Sequence, residues 1–182
     1  MGAGGDTTTD PGAADLTALL TQLSAHAHDP APASRAAHID RIALLEQVKA
    51  AAAAAQHTEI VEFARAEVEH QIARGDIDPR KVGRGIADQI ALASKVSPWT
   101  GSTRLNTARI LGSDLPGVRD LLRAGHISED LAGRVVSETR HLAPDARRAV
   151  DAQIVAAGID QLSPRAAAAT AKRLAYESDP AA

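Results

Sequence analysis

The sequence contains no cysteine, which excludes disulfide bonds, thiolate catalysis and cysteine-ligated zinc. Cysteine-free chains are compatible with a reducing compartment. Aromatic residues are only 2% of the chain, namely Phe63, Trp99 and Tyr176. Leucine, isoleucine, valine and alanine must therefore fill the core, and these side chains suit close helix packing better than a wide sheet sandwich.

Long apolar runs and a secretory signal are also absent. The first twelve residues contain neither a basic region nor an apolar stretch. The alanine run at residues 50–55 follows Lys49 and precedes Gln56, so it is a helix segment and not a membrane span. We therefore expect a soluble, cytoplasmic protein that has no membrane partner.

Strong helix formers dominate the chain, and little of it alternates as strands do. This pattern predicts an all-α fold of about eight helices. Residues 1–14 are rich in glycine, threonine, aspartate and proline, which predicts a disordered tail before a single helical domain at 15–182. Within that domain we expect a long Ala-rich helix or kinked pair at 34–73, a loop at 75–85, and a bundle of short helices at 86–178.

The bundle contains a helix-turn-helix-like unit made of residues 86–94, a turn at 95–97 and a second helix at 98–111. At 100° per residue, Leu105, Ala108 and Leu111 share one face of the second helix, which predicts that this face is buried. The opposite side is polar. We predict DNA contacts from Thr103 and Asn106 on that face, from Ser102 and Arg109 beside it, from Arg104 at its boundary and from Lys95 in the turn.

Charge is distributed unevenly along the chain, whose formal net charge is −3. Residues 1–94 carry a net charge of −5, residues 95–148 carry +3 and residues 149–182 carry −1. The candidate contacts all lie in the positive part. Asparagine can read adenine, and arginine can read guanine or hold a phosphate. Duplex DNA is therefore the candidate partner.

Other interpretations of the same features stay open. Helical hairpins with polar outer faces are common and need not bind DNA, and a lone tryptophan at a helix start is more often a core residue. The turn at 125–128 is a second candidate DNA contact, although Glu129 and Asp130 at the following helix start would repel phosphate. The long helix could instead form a homodimer, which would make the chain a protein–protein or self-association module without nucleic-acid contact.

The order of short motifs in the second half resembles the domain-of-unknown-function 222 family, the 13E12 repeat proteins of actinobacteria, over roughly residues 38–180. The matching elements are Val96-Ser97-Pro98, Arg104-Leu105, Ala108-Arg109-Ile110-Leu111, Leu115-Pro116, Leu121, Gly125, Ile127-Ser128, Ala132, Val135-Val136, Glu138-Thr139, Leu142, Leu162-Ser163-Pro164-Arg165, Ala171, Arg173-Leu174-Ala175 and Asp179-Pro180. The resemblance implies an association with a C-terminal HNH nuclease module and with mobile elements. The sequence departs from that pattern by ending at Ala182, before such a module.

An HNH site needs a histidine base, an asparagine that orients it and a metal ligand, all close together. Asn106 is the only asparagine, and none of the seven histidines forms a compact pair with it in sequence. We interpret these histidines as surface or half-buried residues. The expectation is a non-catalytic module with no metal, no cofactor and no small-molecule substrate, or a truncated remnant of a nuclease.

Overall fold

The computed structural model describes residues 11–75 and 78–179. Within them the chain forms eight α-helices and no strand, which confirms the predicted all-α fold. None of these helices is both long enough and apolar enough to cross a membrane. The helices are α1 (Pro11–His28), α2 (Arg35–Arg74), α3 (Ile86–Ala93), α4 (Pro98–Ser113), α5 (Pro116–Arg123), α6 (Glu129–Thr139), α7 (Pro144–Ala156) and α8 (Pro164–Ser178).

The start of the chain differs from the sequence-based expectation. α1 begins at Pro11, so residues 11–14 of the predicted disordered tail are helical, while residues 1–10 lie outside the described part of the chain. Proline is favoured in the first turn of a helix because its φ angle is already helical and its missing N–H would have no partner there. The predicted loop at 75–85 contains a short 3₁₀ turn, Pro79–Lys81.

The contacts divide the chain into two compact units, Met1–Arg41 and Ile42–Ala182, whereas the sequence predicts one helical domain from residue 15. In the first unit the leucines of α1 are largely exposed, with Leu16 at 60% and Leu20 at 65% of their full accessible area. A helix that buries none of these leucines adds little apolar core. Leucines at helical spacing therefore do not by themselves make a buried face.

Serine side chains begin three of the helices in the second unit. The hydroxyl oxygens of Ser97, Ser128 and Ser163 each accept the backbone N–H three residues later, at 3.2, 3.2 and 3.4 Å. These bonds satisfy N–H groups that have no partner inside the helix. α4 consequently begins at residue 98, as the sequence predicts, and α6 and α8 begin in the same way.

The core of the second unit has two parts, and both involve α2. The smaller part joins α2 to α3 and α4 through Ile60, Ala64, Ile86, Ile90, Leu105 and Ala108. The larger part is built mainly by α4 to α8, and Ala50 and Ala54 of α2 pack into it. Leu105, Ala108 and Leu111 are buried, which confirms the predicted buried face of α4.

A buried arginine fixes the ends of several helices in the larger core. Arg147 on α7 pairs with Asp114, the residue that follows α4. Its guanidinium also donates to the carbonyl oxygens of Thr139, Leu142 and Arg140, at 3.2, 2.7 and 3.4 Å. Carbonyls at a helix end lack partners inside the helix. Arg147 therefore ties the C-terminal ends of α4 and α6 to α7.

Asp151, one turn further along α7, acts on the start of α5. Its carboxylate accepts the N–H groups of Gly117 and Val118, at 2.8 and 3.0 Å. Leu115, the residue before α5, makes no side-chain cap of its own. A carboxylate from a neighbouring helix thus replaces the usual N-cap.

Two glycines allow a matched test of the helix packing. A Cβ at Gly101 in α4 would lie 2.5 Å from the Ala87 carbonyl oxygen and 2.7 Å from the Ala91 Cβ, whereas a Cβ at Gly133 in α6 would meet nothing within 4 Å. We expect Gly101→Ala to lower the free energy of unfolding by about 1–3 kcal/mol through overpacking of α3 against α4. Gly133→Ala should raise it by about 0.5–1 kcal/mol. Urea denaturation followed by far-UV circular dichroism measures both, and equal effects would contradict this account of the packing.

Candidate nucleic-acid interface

The hairpin of α3 and α4 is closed by a turn with a defined backbone. The N–H of Ser94 donates to the carbonyl of Ile90 at 2.9 Å, and Lys95 then adopts a φ of +55°. The N–H of Val96 returns to the carbonyl of Ala91, also at 2.9 Å. A left-handed residue that reverses the chain after a helix is a common C-terminal motif. This geometry directs the chain from the end of α3 into the Ser97 cap of α4.

The hairpin holds α3 and α4 in close contact. Gly101 faces Ala87 and Ala91, so no side chain separates the two backbones at this point. On the inner side, Leu105 and Ala108 are buried against the small core part that includes Ile60 of α2. α4 therefore has one face committed to packing and the other open to solvent.

Five of the six predicted DNA contacts are exposed in the structure. Ser102, Thr103, Asn106 and Arg109 are exposed along α4, Arg104 is half-buried, and Lys95 is exposed in the turn. The hydroxyl of Thr103 donates to the carbonyl of Trp99 at 3.0 Å, so its proton is already used within the helix. Whether these six residues contact DNA stays a prediction.

The charges on this surface have no neutralising partners. Residues 89–113 contain no aspartate or glutamate. Within the described part of the chain, Lys95, Arg104 and Arg109 form no ion pair, whereas seven other arginines do. The paired arginines are Arg65, Arg119, Arg123, Arg134, Arg147, Arg148 and Arg173. The α3–α4 surface thus presents cations that a polyanion could pair with.

Trp99 lies on the surface, which corrects the interpretation of this residue as part of the core. Its side chain is 77% exposed at the start of α4, and Leu92 at the end of α3 is 82% exposed. Core packing of the hairpin is supplied by Ile86, Ile90, Leu105 and Ala108 instead. The sequence offered one signal for this outcome, because Trp99 is followed by the polar residues Thr103 and Asn106 at helical spacing.

His57 of α2 is buried, contrary to the interpretation of all seven histidines as surface or half-buried. Its residue is only 5% exposed, and its Nδ1 has no hydrogen-bond partner. Burial lowers the pKa of His57 below its usual 6.5, the charge of Glu129 raises it, and the charge of Arg104 lowers it. The Nε2 lies 3.9 Å from a carboxylate oxygen of Glu129. Sequence reasoning missed this position, although His57 continues the buried spacing of Ala50, Ala53 and Ala54.

The other sequence candidates are less favourable. The turn at 125–128 packs Gly125 against Gln47 of α2, and Glu129 and Asp130 lie exposed at the start of α6. Among the residues that the structure describes, no group of three or more histidines and carboxylates could hold a metal ion. The absence of catalysis, cofactor and metal stays a prediction.

Comparison with known families is decisive for the identity of this helical region. Residues 42–182 match the family described as "Domain of unknown function (DUF222)". The chain belongs to the DUF222 family. The match begins at Ile42, where the second compact unit of the structure also begins. No curated protein and no solved structure matched the chain.

Because the pKa of His57 is lowered, this residue should make the stability of the DUF222 unit depend on pH. The unfolded chain binds a proton near pH 6.5 more readily than the folded chain does, so stability should fall as pH decreases below about 6.5 until the folded pKa is reached. We expect the decrease between about pH 7.5 and pH 5.5 to be larger for the unaltered chain than for His57→Gln. Urea denaturation at the two pH values measures the difference. His126→Gln, at an exposed histidine, is the control, and a decrease unchanged by His57→Gln would refute the assignment.

Proposed function

We propose that this DUF222 chain is a non-catalytic, DNA-associated helical module of an HNH-endonuclease-associated protein, and that it contacts duplex DNA through α3 and α4. The observation that carries the proposal is the open face of α4. It presents Asn106 and Arg109 in a stretch without carboxylates, Arg104 lies half-buried at its boundary, and Lys95 lies beside it in the turn.

The geometry supports α4 as the reading helix. Helix-turn-helix proteins place the second helix of the hairpin in the major groove, with its N-terminal residues toward the bases. In α4 the polar residues begin at Ser102, one turn after the Ser97 cap, and continue to Arg109. Asn106 at the middle of this face would read bases, while the cations and hydroxyls would hold phosphates.

The association with a nuclease rests on the resemblance to 13E12 repeat proteins, whose longer members pair this helical region with an HNH module. In that arrangement the helical region would position the duplex, and the catalytic groups would belong to the other module. A role in binding the duplex, without catalysis, is consistent with polar side chains that lie exposed along a helix.

Fluorescence anisotropy with a labelled duplex, over a salt series, tests this proposal. We expect binding at roughly 50 mM salt that weakens as salt increases, because bound cations release counterions from DNA. Replacing Arg104 and Arg109 by alanine should reduce the salt slope by about one for each phosphate that the variant no longer neutralises. Asn106→Ala should relax sequence preference with little change in slope.

Arg165→Ala is the matched control, since Arg165 is an exposed arginine on α8 that forms no ion pair in the described chain. It should bind as the unaltered chain does. Absence of binding at roughly 50 mM salt, or equal affinity for the unaltered chain and the double arginine variant, would refute the proposed function.

Self-association is the second candidate function, favoured by the apolar surface near the start of α2. Ile42, Leu44 and Leu45 are 58%, 58% and 37% exposed. Neighbouring exposed apolar side chains on a helix are typical of protein–protein contacts. In this alternative the helix would form a homodimer without nucleic acid.

Sedimentation velocity at tens of micromolar distinguishes this alternative. A homodimer through α2 predicts that Ile42→Gln combined with Leu45→Gln shifts the chain to monomer. Leu92→Gln, at an exposed leucine on α3, should leave the dimer intact. A strict monomer for the unaltered chain would exclude the homodimer.

A further inference from the structure

A groove with arginines along its lining separates α2 from α4 and α5, and it lies beside the surface proposed to read DNA. Its volume is about 590 Å³. α2 contributes His57, Thr58 and Glu62 to its lining, while Arg109, Ser113 and Arg119 come from α4 and α5. Apolar side chains complete the walls. This groove combines cations with hydroxyl groups and a histidine, which is the chemistry of an anion site.

The two arginines of the groove are available to a ligand. Arg109 has no ion-pair partner in the described chain. Arg119 makes only long contacts, at 3.5 Å to the Gly112 carbonyl and 3.4 Å to the Asp120 carboxylate. The carboxylate of Glu62 also lines the groove, but Arg65 already holds it at 2.5 Å. The groove therefore retains positive charge, even though α2 is acidic nearby.

His57 gives this groove a buried polar group without a partner. The residue is 95% buried, it lines the groove, and its Nδ1 makes no hydrogen bond. A buried nitrogen without a partner costs free energy, and such groups are few in native proteins. The Nδ1 atom itself is closed off from the groove, so the ring of His57 contributes to the wall and not a hydrogen bond to a ligand.

The groove continues along the alanine run of α2. A second cavity of about 440 Å³ shares Thr58 and Arg119 with the first and is lined further by Ala51, Ala54, Ala55, Asp120 and Arg123. Alanine side chains are short, so a ligand could approach the α2 backbone closely. Arg123 adds a third guanidinium, although Asp120 lies between it and Arg119 with contacts of 3.6 and 3.4 Å.

We propose that this groove binds a phosphate group, with Arg109 and Arg119 as its ionic partners and the ring of His57 in its wall. The planar guanidinium fork matches the oxygens of phosphate, and its bonds to an anion are stronger than neutral ones. His57 lines the groove, so the signals of its ring should respond when the groove is occupied. The phosphate is either a free ion or a phosphodiester of nucleic acid, and these sources share the same chemistry.

The site goes beyond the proposed reading function, because His57 and Arg119 do not belong to the open face of α4. A chain that binds free phosphate but no duplex would keep this site and lose the proposed function. A chain that binds duplex while the groove stays empty would keep the proposed function and lose the phosphate site. The two proposals can therefore fail separately.

Nuclear magnetic resonance of the full chain tests the site, with the imidazole signals of His57 as the reporter. Inorganic phosphate is titrated in one arm and a short duplex in the other, both in a buffer without phosphate. We expect saturable shifts of the His57 signals with inorganic phosphate if the ligand is a free ion. Shifts only with the duplex would identify the phosphodiester as the source.

Arg119→Gln should weaken the binding about tenfold or more, because it removes a charged hydrogen-bond partner. Arg109→Gln should act in the same direction, and Arg165→Gln on α8 is the matched control that should change nothing. Far-UV circular dichroism verifies that each variant is folded. His57 signals that shift in neither arm, or an unchanged affinity in Arg119→Gln, would overturn the site.

Discussion

The arrangement of the DUF222 unit depends on the ion pair and hydrogen bonds that the guanidinium of Arg147 makes. This guanidinium is buried, pairs with Asp114 after α4, and binds carbonyls at the end of α6. A buried ion pair gains stability only when hydrogen bonds also satisfy its remaining polar atoms. Here the carbonyls of Thr139 and Leu142 fulfil that condition. The orientation of α4, and so of its open face, follows from a charge placed on α7.

Small side chains decide how closely the helices approach. Gly101 brings α4 onto α3, and the alanines Ala167, Ala171 and Ala175 of α8 are at most 1% exposed. A chain with so few aromatic residues fills its core by close approach, since interiors pack to near-crystalline density. Such contacts tolerate little added volume. The shape of the α3–α4 surface therefore depends on glycine and alanine residues, which have no polar or charged side-chain groups.

The local features of this fold were predictable, and the tertiary ones were not. Ser97-Pro98 and Ser163-Pro164 mark helix starts because capping depends on neighbours in sequence. The periodicity of α4 likewise predicts its buried face. The exposure of Trp99 and the burial of His57 depend on which helix covers which face, and no local pattern encodes that choice.

The same limit applies to function. The six DNA-contact candidates have no carboxylate partners among the described residues, and most are exposed, but these properties do not identify what the residues bind.

Trp99 has a consequence for experiments in solution. As the only tryptophan of the chain, with its indole already in water at the start of α4, it should emit at nearly the same wavelength in the folded and unfolded chain. The emission wavelength of Trp99 should therefore change little when the chain unfolds. Trp99 is instead an intrinsic optical reporter of whatever covers the tip of the hairpin.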